Sequence, residues 1–303
     1  MKLSVIIPTK DRQEILQRTL HHLAEATEGV DAEIIVVNDS EKKIELQHAD
    51  ARIKIVQNSK SGAASARNTG VKNSEGGLLL FLDDDILVNK ANIARTFALH
   101  EKGAKRGYNF FWLYPPDLIE KLPQSSLGRY ILKHLLFTNS HRIKINDQHD
   151  ELIHANGLTS QYFSILRSDF LLTGGYDENI PHAGIEDMIL YKELTKQGIE
   201  IFISPSDIVF QNESDRLELN SILERCRRGA ITIRKANELG YEMKYVFPVW
   251  KKMLGATLLP FKGMIYQMAK SLPGWMICDM VRFRLINLLL GLSFYKGYFR
   301  DSE

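Results

Sequence analysis

Cysteine is scarce in this sequence, which excludes a fold held together by disulfide bonds. Only Cys226 and Cys278 occur among the 303 residues, and a disulfide framework requires several pairs. Disulfides persist mainly in oxidising compartments outside the cytosol. We therefore expect the protein to work in the reducing cytoplasm.

Long apolar runs are missing as well. No uninterrupted apolar stretch reaches the roughly 18 residues that a membrane-spanning helix needs. The apolar run near the start, "LSVIIP", ends at Pro8 and is too short for the core of a signal peptide. We therefore expect neither a membrane span nor a secretion signal. With 44% hydrophobic and 25% charged residues, the chain should still bury a core.

Acidic residues are few in the last quarter of the chain. Residues 225–303 contain 14 Lys and Arg but 5 Asp and Glu, a net charge of +9, whereas residues 1–224 carry −7. The basic part mixes these cations, among them Arg282 and Arg284, with aromatic and aliphatic residues, as helices at a membrane surface do. We predict that residues 241–303 contact an anionic membrane surface. A packed helical subdomain or a homodimer interface is the alternative.

Strand-like and helix-like segments alternate in the first half, which predicts an α/β fold with a mainly parallel, helix-covered sheet. Predicted strands cover residues 3–8, 32–39, 52–58 and 78–82, and predicted helices cover residues 14–27, 62–74 and 90–103. Residues 115–157 are predicted as loops with short helices, and residues 160–178 as a strand, a helix and a turn. The remaining predicted elements are a helix at 184–198, strands at 199–205 and 207–213, and helices from residue 217.

Three adjacent carboxylates follow the apolar run in "LLLFLDDDILV", at Asp83, Asp84 and Asp85. Ligands of such sheets bind beyond the carboxyl ends of the strands, so we expect this run and Asp39 to face one crevice. Adjacent carboxylates repel, and Mg²⁺ or Mn²⁺ with a phosphorylated ligand is a common offset. A solvated turn that caps the next helix is the simpler interpretation for a single Asp.

Six segments carry a family resemblance in their order along the chain: "SVIIPTKDR", "IIVVNDS", "GAASARNTG", "FLDDDI", "GGYDE" and "GIEDMILYKELTKQG". Together they resemble an inverting family 2 glycosyltransferase of the GT-A fold. The resemblance implies a catalytic domain over residues 1–216, with a nucleotide-binding part near 1–110 and an acceptor part near 111–216. Residues 217–303 would form a basic, amphipathic helical extension.

An enzyme of this kind moves one sugar from a nucleotide-diphosphate sugar to a hydroxyl group. The resemblance favours a UDP-sugar as donor and a glycan or lipid-linked glycan as acceptor. It implies Mn²⁺ or Mg²⁺ as cofactor and gives no reason to expect a nucleic acid partner.

The resemblance also assigns roles to individual residues. Residues expected to contact the nucleotide are Pro8, Thr9, Asp11, Arg12, Asp39, Arg67, Asp83 and Asp84. Asp85 would bind the metal together with Asp83, which would also reach the ribose. Arg67 is expected to lie along the phosphates of the nucleotide. Alternatively, it is an ordinary arginine on the surface of a helix.

Asp187 is the implied general base. Inverting transfer needs a base opposite the leaving group to take the proton of the acceptor hydroxyl. Asp187 begins a predicted helix, and the helix dipole there favours the ionised form, although a plain helix cap is the alternative. Glu186, His154 and Asn156 are candidate contacts to the acceptor or the donor sugar.

Two features of the family are missing. Where many relatives carry a metal-binding His after the last strand, this sequence has "IVFQNESD", with Gln211 near that position as a weaker oxygen ligand. The QxxRW motif and membrane helices of processive synthases are absent, so we expect single-sugar addition.

Two other classes of protein also use such a fold or such a metal site. A nucleotidyltransferase would carry a Gly-rich phosphate loop after the first strand, and "PTKDRQE" has no Gly. A non-catalytic nucleotide-sugar-binding or membrane-docking protein of the same fold would be marked by loss of the acidic run or of the base, and both are present.

Overall fold

The computed structural model describes residues 1–46, 50–101, 103, 105–136, 152–243 and 248–301. The chain divides into two units. One consists of Met1–Pro115 with Ile145–Glu213, and the other of Pro116–Lys144 with Ser214–Glu303. The division at residue 216 into a catalytic domain and an extension stays a prediction.

The first unit contains a sheet with nine strands in the described residues. They are β1 (Leu3–Thr9), β2 (Ala32–Asn38), β3 (Ile53–Gln57), β4 (Leu78–Leu82), β5 (Ile86–Leu87), β6 (Arg106–Leu113), β7 (Ile153–His154), β8 (Tyr162–Leu166) and β9 (Glu200–Gln211). Their order is β3-β2-β1-β4-β8-β6-β9-β5, and β7 pairs with β9. Strands β1 to β4, β6 and β9 run in the same direction. The predicted α/β fold with a mainly parallel sheet is confirmed.

Eleven α-helices occur in the described residues. They are α1 (Gln13–Ala26), α2 (Ala63–Lys72), α3 (Lys90–His100), α4 (Pro116–Lys121), α5 (Ser126–Ile131), α6 (Arg167–Leu171), α7 (Glu186–Lys196), α8 (Leu219–Glu238), α9 (Val249–Leu258), α10 (Lys262–Ser271) and α11 (Asp279–Phe299).

Strand β1 shows how the sheet acquires two buried faces. Alternate residues of a strand point to opposite sides, so Val5 and Ile7 join the core that includes Leu16 of α1. Ile6 joins the other core, which includes Val71 of α2. Burial on both sides explains why the central strands are continuous apolar runs.

The structure differs from the predicted elements in two places. Strand β6, to which the sequence analysis assigned no element, lies between β8 and β9 and is stabilised by pairing on both sides. The strands predicted at 199–205 and 207–213 form the single strand β9, whose register shifts opposite Phe110 and Phe111. Short helices occur within residues 116–136, as predicted, whereas residues 137–151 of the predicted loop region lie outside the described residues.

The second unit is helical, and its core contains Leu223, Ile265, Ala269, Leu289 and Leu292. Residues 244–247, at the start of the predicted membrane-contacting segment, lie outside the described residues. Among the helices that the structure describes, none is both long and apolar enough to cross a membrane.

Candidate active site

The carboxyl ends of four adjacent parallel strands form one edge of the sheet. The loop after β1 starts at Lys10, Asp39 follows β2, Asn58 follows β3, and Asp83 follows β4. The backbone N–H of Asp39 donates to the carbonyl of Thr9 at 2.9 Å. The sheet order therefore brings the predicted nucleotide-binding segments to the same edge.

Asp39 already has several hydrogen-bond donors around its carboxylate. Its Oδ1 accepts from Asn58 Nδ2 at 2.7 Å, and Oδ2 accepts from Lys10 Nζ at 3.1 Å and Ser61 Oγ at 3.1 Å. The N–H of Gly62 lies 3.2 Å from both oxygens. A nucleobase donor that binds Asp39 would have to share the carboxylate with these groups.

The loop after β1 holds one residue in a strained conformation. Asp11 has a φ of 55°, in the left-handed region that non-glycine residues rarely adopt. Its N–H donates to Ser40 Oγ at 2.7 Å, which fixes the turn. Asp11 is exposed and Pro8 is half-buried, so both are positioned on the accessible side of this edge.

Within the protein, the guanidinium of Arg12 reduces the repulsion between Asp84 and Asp85, in addition to any bound metal ion. Nη1 of the buried Arg12 contacts Asp84 Oδ1 and lies 2.9 Å from Asp85 Oδ2. Thr9 Oγ1 donates to Asp84 Oδ2 at 2.6 Å. Thr9, Arg12 and Asp84 are buried groups that bind one another and hold the loop after β1 against the acidic run. Their expected contact with the nucleotide stays a prediction.

Arg67 joins two distant carboxylates. Its Nη2 donates to Asp83 Oδ1 at 2.9 Å, and its Nη1 donates to Glu186 Oε1 at 2.9 Å. Burial opposes the charge of the guanidinium, but Asp83 and Asp187 outweigh that effect and raise the pKa of Arg67 further. Arg67 was expected along the phosphates; the structure places it between carboxylates, with the Tyr176 ring 5.5 Å away.

Asp85 carries an unsatisfied oxygen. Its Oδ1 is buried and accepts no hydrogen bond within the part of the chain that the structure describes. Burial first, and then repulsion from Asp84, raise the pKa of Asp85 to about 7, although Arg12 opposes the shift. An unpartnered carboxylate oxygen is a suitable ligand for Mn²⁺ or Mg²⁺.

Few further protein ligands lie around that oxygen. Within the described residues, no three His, Cys, Asp or Glu side chains are arranged to hold one metal ion. Mg²⁺ commonly binds one or two carboxylates and takes its other ligands from water and phosphate. The residues present fit a metal of that kind.

Asp187 is the second residue of α7, and Ser160 holds its carboxylate. Oδ2 accepts from the N–H of Ser160 at 2.9 Å, and Oδ1 contacts Ser160 Oγ, which lies 2.6 Å from Tyr176 Oη. Burial, followed by the charge of Glu186, raises the pKa of Asp187 to about 7, against the opposing effect of Arg67.

Glu186, an expected acceptor or donor-sugar contact, has both carboxylate oxygens paired within the protein, and that role stays a prediction. It is buried, and Oε1 pairs with Arg67. Oε2 accepts from the N–H groups of Gly184 at 2.5 Å and Ile185 at 3.0 Å. Its contacts are those of a residue that fixes the start of α7 and therefore positions Asp187.

The structure does not bring His154 to the acidic run. His154 lies in β7 opposite Phe202 of β9, whereas Gln211 at the end of β9 pairs with Ile86, next to Asp85. Because of the shift in register, the stretch of β9 from Phe202 to Gln211 runs alongside about six residues of β6, or roughly 20 Å. The expected contact of His154 with the acceptor or the donor sugar stays a prediction. Asn156 is exposed two residues further along, and its role stays a prediction.

The segment after β9 lies beside the acidic run and supplies Glu213, which the sequence did not indicate; the metal-ligand role of Gln211 stays a prediction. Gln211 is buried, and the N–H of Asn212 donates to the carbonyl of Asp85 at 2.7 Å. Glu213 is buried too, accepts from Tyr114 Oη at 2.5 Å, and contributes to the raised pKa of Asp85. The position of Glu213, an acidic residue just after the last strand, could have marked it as a site residue. No feature of the sequence marks Ser160 in that way.

Comparisons with known proteins agree with this architecture. A sequence profile described as Glycosyl transferase family 2 matches residues 4–170. Validoxylamine A glucosyltransferase of Streptomyces hygroscopicus subsp. jinggangensis is 28% identical over 251 residues, which cover 75% of this chain and 60% of that protein. The GalNAc(5)-diNAcBac-PP-undecaprenol beta-1,3-glucosyltransferase of Campylobacter jejuni is 38% identical over 92 residues, 28% of this chain and 29% of that protein.

One solved structure has a fold similar to that of this chain. Mannosyltransferase PcManGT from Pyrobaculum calidifontis, in complex with GDP-Man and Mn²⁺, aligns over 99% of this chain and 88% of its own, with a TM-score of 0.57 and 13% identity. At that identity the likeness shows the fold, which is GT-A. Since the family profile covers more than half of the chain, the protein belongs to glycosyl transferase family 2.

Proposed function

We propose that the protein is a metal-dependent, inverting glycosyltransferase that adds a single hexosyl unit. The donor is a nucleotide-diphosphate sugar, with UDP favoured, and the acceptor is a hydroxyl of a glycan or lipid-linked glycan. The observation that carries the proposal is the connection of Asp83 to Glu186 through Arg67. It joins the acidic run of the donor site to the helix that carries the proposed base.

Asp187 takes the proton from the acceptor hydroxyl. The acceptor oxygen then bonds to the anomeric carbon of the donor, the bond from that carbon to the diphosphate oxygen breaks, and the nucleoside diphosphate leaves with the electron pair. Attack from the side opposite the leaving group inverts the configuration. Ser160 keeps the carboxylate of Asp187 oriented for this step.

Asp85 and Asp83, with Gln211, would hold the metal. When bound, Mn²⁺ or Mg²⁺ supplies positive charge near the diphosphate and stabilises it as a leaving group. The unpartnered oxygen of Asp85 supports this assignment. That the solved neighbour contains Mn²⁺ is consistent with it.

In this proposal the nucleotide contacts Pro8, Asp11 and Asp39. The loop after β1 is held in place by the contacts among Thr9, Arg12 and Asp84. A lipid-linked acceptor is suggested by the relative whose name includes undecaprenol. Since the chain spans 60% of one curated relative and 29% of another, neither substrate is transferred to it without a test.

A donor screen tests the proposal. UDP-sugars and GDP-sugars are added with Mn²⁺ or with a chelator, and thermal unfolding and donor hydrolysis are recorded. A ligand at 100 times its dissociation constant should raise the free energy of unfolding by about 2.7 kcal/mol. If no nucleotide sugar stabilises the protein in a Mn²⁺-dependent way, the proposed donor site is wrong.

The same screen separates an enzyme from a non-catalytic binding protein. The wild-type protein should hydrolyse or transfer the donor that stabilises it, and Asp187→Asn should bind that donor without turning it over. Equal, negligible turnover by both proteins with every donor and with simple glycoside acceptors would favour the binding protein.

A further inference from the structure

The turn between α10 and α11 exposes three consecutive large apolar side chains. Trp275, Met276 and Ile277 are 72%, 75% and 83% exposed. Isolated exposed apolar residues are common, but a contiguous group of this size marks an interaction site.

The exposed apolar surface continues along both helices. Phe261 precedes α10, and Met264 and Met268 lie one helical turn apart on α10. Met280 is the second residue of α11, and all four side chains are at least half exposed. Ile265, which lies on α10, is buried in the core of the second unit. The two helices are therefore packed, and the exposed stripe is a surface of the folded unit. We call Trp275, Met276 and Ile277 the apolar tip.

The backbone carbonyls at the base of the apolar tip are paired. Arg282 is buried; its Nε donates to the carbonyl of Ala269 at 3.0 Å, and its Nη2 donates to Pro273 at 3.2 Å and to Leu272. Nη2 of Arg129 donates to the carbonyl of Gly274 at 2.9 Å. A carbonyl without a partner is unfavourable in hydrocarbon, so the pairing of these carbonyls, which precede the apolar tip in the chain, is compatible with insertion of the tip into lipid.

The finding also corrects the role expected for Arg282. It is not a surface cation, because its guanidinium holds the turn from inside. Arg284 is exposed, as expected.

The charge around the tip is mainly positive. Asp279, which follows the tip by two residues, is paired with Arg129. Residues 243–278 contain five Lys and no Asp or Glu. Lys270 and Arg284 are exposed, and Arg284 lies one helical turn from Met280, on the same face of α11. Apolar side chains bordered by cations are the arrangement of helices that bind anionic bilayers.

We propose that the second unit docks on anionic lipid bilayers by inserting Trp275, Met276 and Ile277, with Lys270 and Arg284 at the phosphate level. This inference does not depend on the proposed glycosyl transfer. A second copy of the chain suits the surface less well, because a symmetric contact would bring the same cations together.

Vesicle flotation tests the proposal with the full chain. The protein should float with vesicles of phosphatidylcholine and phosphatidylglycerol at low salt, and binding should weaken but persist at high salt. Trp275→Ser with Met276→Ser and Ile277→Ser should lower the partition coefficient at least tenfold, since three large apolar side chains lose their burial. Lys270→Glu with Arg284→Glu should reduce binding to phosphatidylglycerol vesicles and remove most of its salt dependence.

A matched control comes from the first unit. Leu171 and Leu172 are 57% and 50% exposed, and changing both to Ser should leave flotation unchanged. A protein with Trp112→Phe and Trp250→Phe retains Trp275 as its one tryptophan, and its emission should shift to the blue when vesicles are added.

The proposal is overturned if the wild-type protein stays in the soluble fraction with anionic vesicles in excess, or if the triple Ser variant floats as well as the control. A dimer in sedimentation that the triple Ser variant converts to a monomer, without vesicle binding by the wild-type protein, would assign the tip to self-association. Circular dichroism of each variant excludes loss of binding through unfolding.

Discussion

Arg67 and Glu186 lie 119 positions apart in the chain, yet Nη1 of Arg67 donates a hydrogen bond of 2.9 Å to Glu186 Oε1 in the protein interior. The same guanidinium holds Asp83. Arg67 therefore joins the acidic run to the start of α7, where the proposed base lies. Binding of the donor and positioning of the base are expected to be linked through Arg67.

Arg67→Met should lower the free energy of unfolding by about 3–5 kcal/mol, because it leaves buried carboxylates without their cation. Urea denaturation measures the change. Arg95→Met is the control, since Arg95 pairs with Asp207 at a more exposed site and its loss should cost about 1 kcal/mol or less. Equal losses in the two variants would show that the Arg67 bridge is unimportant for stability.

Asp187→Asn should lower kcat by about 100-fold or more, the usual scale for a general base. The amide keeps the shape of the carboxylate but cannot take the proton, so nucleotide affinity measured by calorimetry should barely change. Glu193→Gln on the same helix is the control and should retain activity. Near wild-type turnover of Asp187→Asn would show that another group is the base.

The pH dependence of kcat/KM should report the raised pKa of Asp187. The base must be ionised, so kcat/KM should fall about tenfold per pH unit below about pH 7 and level off above it. If kcat/KM stayed constant down to the ordinary Asp pKa of 3.8 and fell only below it, the raised pKa of Asp187 would be contradicted.

Stability should show the opposite trend. A folded-state pKa of about 7, above the usual 3.8, means that folded Asp187 retains a proton that the unfolded chain loses between about pH 4 and 7. The stability that Asp187 contributes is therefore lost as pH rises through this interval. Asp187→Asn should make the free energy of unfolding less dependent on pH there; an unchanged pH profile would contradict this prediction.

Asp85→Asn should weaken Mn²⁺-dependent binding of UDP, because it removes the charge of the one proposed ligand whose oxygen is buried and unpartnered in the described structure. Calorimetry with UDP, with and without Mn²⁺, measures the effect. Glu200→Gln, at the far end of β9, is the control. The metal assignment fails if affinity and its Mn²⁺ dependence both match those of the wild type.

Gln211→His should allow half-maximal activity at a lower Mn²⁺ concentration, because a neutral imidazole nitrogen is a stronger electron-pair donor than an amide oxygen. A Mn²⁺ titration of activity provides the measurement, and Asn212→His, one residue further along, is the control. An unchanged or higher Mn²⁺ requirement would place Gln211 away from the metal.

The sequence by itself determined the framework of the first unit. Continuous apolar runs such as that of β4 must be buried on both faces, and their alternation with helices of amphipathic spacing requires a mainly parallel sheet. The positions of Asp39 and Asp83 at strand ends then follow, because parallel neighbours end at the same edge. These features depend on local periodicity, which the sequence displays directly.

Only the tertiary structure decided which charged groups meet. The sequence marks Arg12 and Arg67 as candidate ligand-binding residues, and only packing shows that they also pair with Asp84, Asp85 and Glu186. The burial of Arg282 beneath the apolar tip was equally invisible in the sequence. The partner of a side chain is set by elements that are distant in the chain, and both the cost of burying a charge and its compensation arise only once those elements have packed together.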